Sequence, residues 1–164
     1  MRVAVIMGSD SDLPVMSKCI DTLKDFGVSI KVMVCSAHRT PERAAEFAKS
    51  AKNDGFGVII AAAGKAAHLG GVLAAFTTLP VVAVPMKTSM MGGLDSLLSM
   101  VQMPEGIPVA TVAVDGAVNA ALLAVQILGI SDGSMSEKMS QYKKDMEAKV
   151  EKKDRELQEK LKNE

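Results

Sequence analysis

The chain holds only two cysteines and two histidines in 164 residues, carries no net charge, and has no long apolar run. Each shortage removes a class of function. Cys19 falls inside a helical pattern and Cys35 closes an apolar run, so the pair is no disulfide framework and a cytoplasmic, reducing setting is expected. With 19 basic and 19 acidic residues there is no global field to attract a polyanion, so neither nucleic acid nor an anionic membrane surface is an expected partner. No stretch approaches the roughly 20 apolar residues of a membrane span, and Met1–Asp10 is too short an apolar run for a signal peptide. A soluble protein is expected. No grouping of His, Cys and carboxylates has metal-ligand spacing, so no metal is expected. The GxxxxGK[ST] and complete GxGxxG patterns are missing too, which disfavours a nucleotide triphosphatase or an ordinary dinucleotide site.

What the chain does have is 48% hydrophobic residues in a regular alternation, enough for one compact domain. Short apolar runs at Val3–Met7, Ile30–Val34, Gly57–Ala61, Val81–Pro85 and Val109–Val114 predict five strands covered on both faces. Between them, helical spacing predicts helices over about Pro14–Phe26, Pro41–Asp54, Ala66–Thr77, Leu94–Gln102 and Ala117–Leu128. Pro14 and Pro41 suit a helix's first turn, where the missing N–H costs nothing. Strict β-α alternation implies a parallel sheet with right-handed crossovers, hence a three-layer doubly wound α/β domain, with a flavodoxin-like strand order expected.

Composition changes after Gly129. Residues 131–164 separate from a 1–130 domain as a linker followed by a charged helix, with 9 basic and 8 acidic residues between Met135 and Glu164. Met135, Met139, Tyr142, Met146 and Val150 form a narrow apolar stripe, while Asp145/Lys149, Glu151/Arg155 and Glu156/Lys160 support the exposed face. The stripe serves equally a helix lying on its own domain or an arm packed on a neighbouring subunit.

Chemistry-bearing residues concentrate where strands end, which is where open α/β sheets bind ligands. The first strand delivers Gly8-Ser9-Asp10-Ser11-Asp12 into a helix. Backbone N–H groups there, with Ser9 and Ser11, suit a phosphate, and Asp12 suits a ribose hydroxyl; the same residues are ordinary N-caps. The second strand ends in Ser36-Ala37-His38-Arg39-Thr40-Pro41. Histidine titrates near neutrality and suits proton transfer in both directions, while an arginine binds phosphate or carboxylate through two parallel hydrogen bonds. Cys35 is a poor candidate nucleophile, because a strand's last apolar residue faces packing. The third strand runs into Gly64-Lys65-Ala66-Ala67-His68-Leu69-Gly70-Gly71, whose small residues let a ligand or another backbone approach closely. His68 is either a site residue or a satisfied buried histidine. Lys87–Gly93 reads as a mobile loop after the fourth strand.

These segments, together with Asp95–Pro104 and Asn119–Ala124, closely resemble in order the motifs of the 5-(carboxyamino)imidazole ribonucleotide mutases of purine biosynthesis, the family of class I phosphoribosylaminoimidazole carboxylase catalytic subunits. The resemblance covers about residues 2–130. It implies an isomerase that moves a carboxylate from an exocyclic nitrogen to a ring carbon of a phosphoribosyl substrate by decarboxylation and recarboxylation, without cofactor or metal, in a homo-octamer whose C-terminal helices reach neighbours. Carried over residue by residue, it implies His38 as the proton carrier. Ser9, Ser11 and Arg39 with Ser36 fall at the phosphate end and Asp12 at the ribose, while Gly64, Lys65, Ala66, His68 and Leu69 surround the migrating carboxylate.

The chain departs from that family at Ala62, Lys65, Gly70 and Val72, where the resembled run has Gly, Gly, Pro and Met. Ala62 is expected to be strained if its position needs positive φ, and Gly70 to loosen a turn that proline would fix. Lys65 either carries its ammonium to water or reaches the carboxylate. Retained activity with altered kinetics is the expectation. A related carboxylase that uses free carbon dioxide resembles Ser-Ala-His-Lys and Ala-Gly-Arg-Ser-Asn instead, so Arg39, Ala67 and His68 favour the mutase. A non-catalytic ribonucleotide-binding relative is the remaining alternative.

Overall fold

A computed structural model describes residues 1–162. Five strands, β1 (Arg2–Met7), β2 (Ser29–Val34), β3 (Phe56–Ala63), β4 (Val81–Pro85) and β5 (Ala110–Thr111), form one parallel sheet in the order β2-β1-β3-β4-β5. This is the flavodoxin-like order, with its switch point where β1 lies between β2 and β3. The helices are α1 (Leu13–Asp25), α2 (Pro41–Ala51), α3 (Leu69–Phe76), α4 (Leu94–Val101), α5 (Ala117–Gly129) and α6 (Gly133–Lys162).

Side chains alternate across the central strands and so build two cores. Val3, Val5, Val58, Ile60, Val82 and Val84 face α1 and α5, where they meet Met16, Cys19, Leu23, Ala121, Ala124 and Leu128. Ala4, Ile6, Ile59, Ala61 and Ala83 face the other way, onto Ala44, Phe47 and Ala48 of α2, Leu73 of α3 and Met100 of α4. Burial of each large aliphatic side chain contributes about 1.5–3 kcal/mol, and the layers on both faces explain the unbroken apolar runs of β1, β3 and β4.

Five expectations need correction. β2 is an edge strand and is not covered on both faces: Val32 and Val34 are about 40% exposed. β5 is only two residues long. Beyond Thr111 the chain still follows β4, through Val112 N–H to Ala83 O (3.0 Å) and Asp115 N–H to Pro85 O (2.9 Å), but the residues between break the ladder. Helix α3 begins at Leu69 rather than near Ala66, because Lys65 takes a left-handed φ of 58° and His68 N–H closes a short turn onto Ala66 O. Ala62 lies in buried, regular β3 and is not among the residues with positive φ, while Gly70 sits inside the first turn of α3 rather than in a loose turn.

Helix α6 starts three residues after α5 ends, past a turn in which Asp132 accepts hydrogen bonds from the Ser134 N–H and hydroxyl; chiefly the latter lowers its carboxyl pKa. Its first turns belong to the first core. Met139 is buried there, Tyr142 packs against Phe26 with ring centroids 5.7 Å apart, and Lys138 Nζ donates to Phe26 O at 2.8 Å. From Met146 onward the apolar residues of the helix, Val150, Leu157 and Leu161 included, are exposed.

Candidate active site

Strands β1, β2, β3 and β4 all end at one edge of the sheet, and their following loops enclose a single cleft of about 620 Å³. Every site residue singled out from the sequence lines it: Ser9, Ser11, Asp12, Ser36, His38, Arg39, Gly64, Lys65, Ala66, His68 and Leu69. Met86, Lys87, Thr88 and Ser89 complete the wall. Lys87, Thr88 and Ser89 were read only as part of a mobile loop and Met86 was not singled out; the signal available for them was their position at the end of a strand.

The centre of the cleft is a pair of imidazoles. His38 Nε2 lies 2.9 Å from His68 Nδ1, with the rings edge-on at 87° and centroids 5.0 Å apart. One nitrogen donates and the other accepts, so the two rings share one N–H. Their strands flank β1 and stand about 10 Å apart, which means both loops lean across the end of β1 to meet. Gly8 closes β1 against β3, its N–H donating to Ala62 O at 2.9 Å.

Each loop is held from within. Ser36 Oγ accepts from Arg39 N–H (3.2 Å), and Ser36 O accepts from both Thr40 N–H and Thr40 Oγ1 at 2.8 Å, which fixes the turn carrying His38 and Arg39. Cys35 is buried against the second core, with Sγ 3.6 Å from Thr40 Oγ1, and has no opening to the cleft. In the first loop Ser9 Oγ accepts from Ser11 N–H (3.2 Å), while Asp12 Oδ2 accepts from Ser9 N–H (3.3 Å). This reciprocal cap shows that the capping role read for these residues is real, whatever they bind. Asp12 is buried, and that burial, with the nearby charges of Asp10 and Asp115, raises its carboxyl pKa against the lowering effect of the Ser9 N–H. In the fourth loop Lys87 N–H donates to Asp115 Oδ1 (2.9 Å), Thr88 Oγ1 donates to Asp95, and the fully buried Ser96 donates to Met86 O (2.6 Å) or Gly93 O (2.8 Å).

The electrostatics of the cleft are one-sided. Arg39, Lys65 and Lys87 line it against a single lining carboxylate, Asp12, and none of the three cations is in a salt bridge among the described residues. The cations so placed can hold a small anionic group by charge-assisted hydrogen bonds. With two proton-transfer groups at its centre, the cleft fits acid–base chemistry on a phosphorylated or carboxylated molecule.

Comparison with known proteins agrees with this geometry. Residues 2–149 match the family model described as AIR carboxylase. A protein of Pyrococcus horikoshii named N5-carboxyaminoimidazole ribonucleotide mutase is 59% identical over 96% of this chain and 89% of its own length. A protein of Saccharomyces cerevisiae named phosphoribosylaminoimidazole carboxylase is 58% identical over 85% of this chain, which spans only 24% of it. Among solved structures, PurE of Treponema denticola superposes with a TM-score of 0.87 at 30% identity, covering 94% of this chain and 97% of that one.

Proposed function

This chain belongs to the AIR carboxylase family, and from that membership and the cleft's geometry we propose that it converts N5-carboxyaminoimidazole ribonucleotide to 4-carboxy-5-aminoimidazole ribonucleotide. It is an isomerase of purine biosynthesis. The N–carboxylate bond breaks to release carbon dioxide as the exocyclic nitrogen takes a proton. The ring carbon, nucleophilic as the end of an enamine, then captures that carbon dioxide and gives up its own proton. One proton enters and one leaves, so a single imidazole returns to its starting state. His38 carries the proton, and His68 orients its ring beside the migrating carboxylate. Arg39, Ser36, Ser9 and Ser11 take the phosphate, Asp12 the ribose, and Gly64, Lys65, Ala66 and Leu69 enclose the reacting end.

The observation that carries the assignment of roles is the 2.9 Å contact between His38 and His68 in a cleft lined by three unpaired cations. Holding carbon dioxide beside the ring carbon is the catalytic demand, and the enclosing loops meet it by proximity and exclusion of water. The carboxylase name of the Saccharomyces relative belongs to a protein about four times as long, and the relative matched along its own length is named as the mutase. We also assign residues 1–130 as the catalytic unit and 131–164 as linker and arm of a cytoplasmic homo-octamer. Supporting an assembly are the exposed Val32 and Val34 of edge strand β2 and the exposed apolar residues of distal α6.

The test mixes the purified protein with 4-carboxy-5-aminoimidazole ribonucleotide and follows isomerisation separately from loss to aminoimidazole ribonucleotide. Isomerisation is expected. Loss of carbon dioxide alone would mean that it escapes, and binding without either reaction would leave a non-catalytic relative.

A further inference from the structure

Lys65 occupies a backbone conformation that favours glycine. Its φ of 58° puts it in the left-handed region, one of three non-glycine residues found there, and the resembled run has glycine at this place. Lysine's side chain relieves none of that strain, and a residue held in such a conformation at a binding site points to a use for its side chain. The lysine is exposed, lines the cleft three residues before His68, and has no carboxylate within salt-bridge distance among the described residues. Its loop is braced. Met86 N–H donates to Ala63 O at 2.9 Å, and Gly64 lies beside Met86 and Thr88 of the loop after β4. This cation is carried by the loop after β3, a different element from the loop after β2 that carries Arg39.

We propose that Lys65 is a specificity-determining residue whose ammonium holds the carboxylate that migrates, so that this chain discriminates imidazole nucleotides with that carboxylate from those with a neutral group in its place more strongly than a glycine at that position permits. The inference rests on the function proposed above. It also accounts for a lysine where the backbone prefers glycine: the strain is offset by an ion-assisted hydrogen bond made only when substrate is present.

Calorimetric titration of the parent, Lys65→Gly and Lys65→Gln with two nucleotides tests it: 4-carboxy-5-aminoimidazole ribonucleotide and its neutral 4-carboxamide analogue. Both variants are expected to lose about tenfold in affinity for the carboxylate while the carboxamide stays within about twofold, one charge-assisted hydrogen bond accounting for the difference. Lys65→Gly should also melt at a higher temperature than the parent, and Lys65→Gln should not. An unchanged ratio of the two affinities in both variants overturns the proposal. So does a loss of affinity for both nucleotides in Lys65→Gly alone, which would reflect loop freedom rather than charge. Were the parent to bind neither nucleotide, the functional reading would fall together with this one; binding of both by the parent with a ratio insensitive to Lys65 would remove this one alone.

Discussion

Replacing His38 by asparagine keeps a polar side chain of similar reach in the loop but removes the titrating ring. Its neighbours stay: Ser36 Oγ still accepts from Arg39 N–H, so the loop keeps its shape. Loss of a general acid–base group lowers kcat about 10²–10⁴-fold, or roughly 3–5 kcal/mol of barrier. His68 sets the contrast. Its 2.9 Å contact with His38 is one hydrogen bond between exposed groups, worth about 1 kcal/mol, so His68→Leu should cost about fivefold through loss of orientation alone. His68→Asn, which keeps a polar atom near the position of Nδ1, should cost less and leave the shape of the pH–rate profile unchanged. The assay is isomerisation of 4-carboxy-5-aminoimidazole ribonucleotide at saturation, with folding checked by circular dichroism and melting temperature. A folded His38→Asn enzyme within about tenfold of the parent kcat would refute His38 as proton carrier, since that lies below the usual range for such a group. A His68→Leu loss as large as that of His38→Asn would refute the division of roles.

Three further outcomes follow from the same coordinates. Because burial raises the Asp12 pKa above its unfolded value, its contribution to stability is fully present below the unfolded pKa and is lost as pH rises through the folded one; Asp12→Asn should raise the melting temperature at neutral pH and give no gain in acid below the ordinary carboxylate range, and an equal gain at both pH values would refute this. At Gly93, φ is 105° and a Cβ would lie 2.9 Å from Val114 Cγ1 and 3.1 Å from Met86 O, so Gly93→Ala should cost strain as well as overlap. About 3 kcal/mol, or a fall of about 10 °C in a scanning melt, is expected, and a fall under about 2 °C would contradict the geometry. Truncation after Glu147 spares the buried turns of α6 and removes the exposed Val150, Leu157 and Leu161, so sedimentation velocity should show a smaller assembly of folded protomers; an unchanged assembly would exclude the arm.

Strands β1, β3 and β4 are legible because a strand buried on both faces leaves a continuous apolar run. β2 carries an apolar run broken only by Lys31 although it lies at the sheet edge, and that run alone does not reveal that Val32 and Val34 are exposed. The Ala-rich stretch after β3 reads as helix because alanine and leucine are the best helix formers, yet the strand-end loop overrides that preference through the left-handed turn at Lys65. All the residues chosen for the site share one cleft, since strand ends of a parallel sheet share one edge. The direct contact of His38 with His68 is not written in their spacing: it depends on β1 inserting between β2 and β3, so that the loops after β2 and β3 meet across its end. Lys87–Ser89 carries no histidine or arginine to mark it, so only topology brings it to the wall.

The packing of α1 on α5 fixes when this protein can fold during its synthesis. Met16, Cys19 and Leu23 share a core with Ala121, Ala124 and Leu128, so α1 cannot bury its apolar face until α5 has been made. β1 likewise waits for β3. Such distant pairings make folding slow and leave the nascent chain with unpaired strand edges and an apolar helix face until translation has passed Leu128. Until then the apolar faces that will form the first core stay open to wrong partners, so the docking of α5 on α1 closes the interval in which this chain is most prone to aggregate.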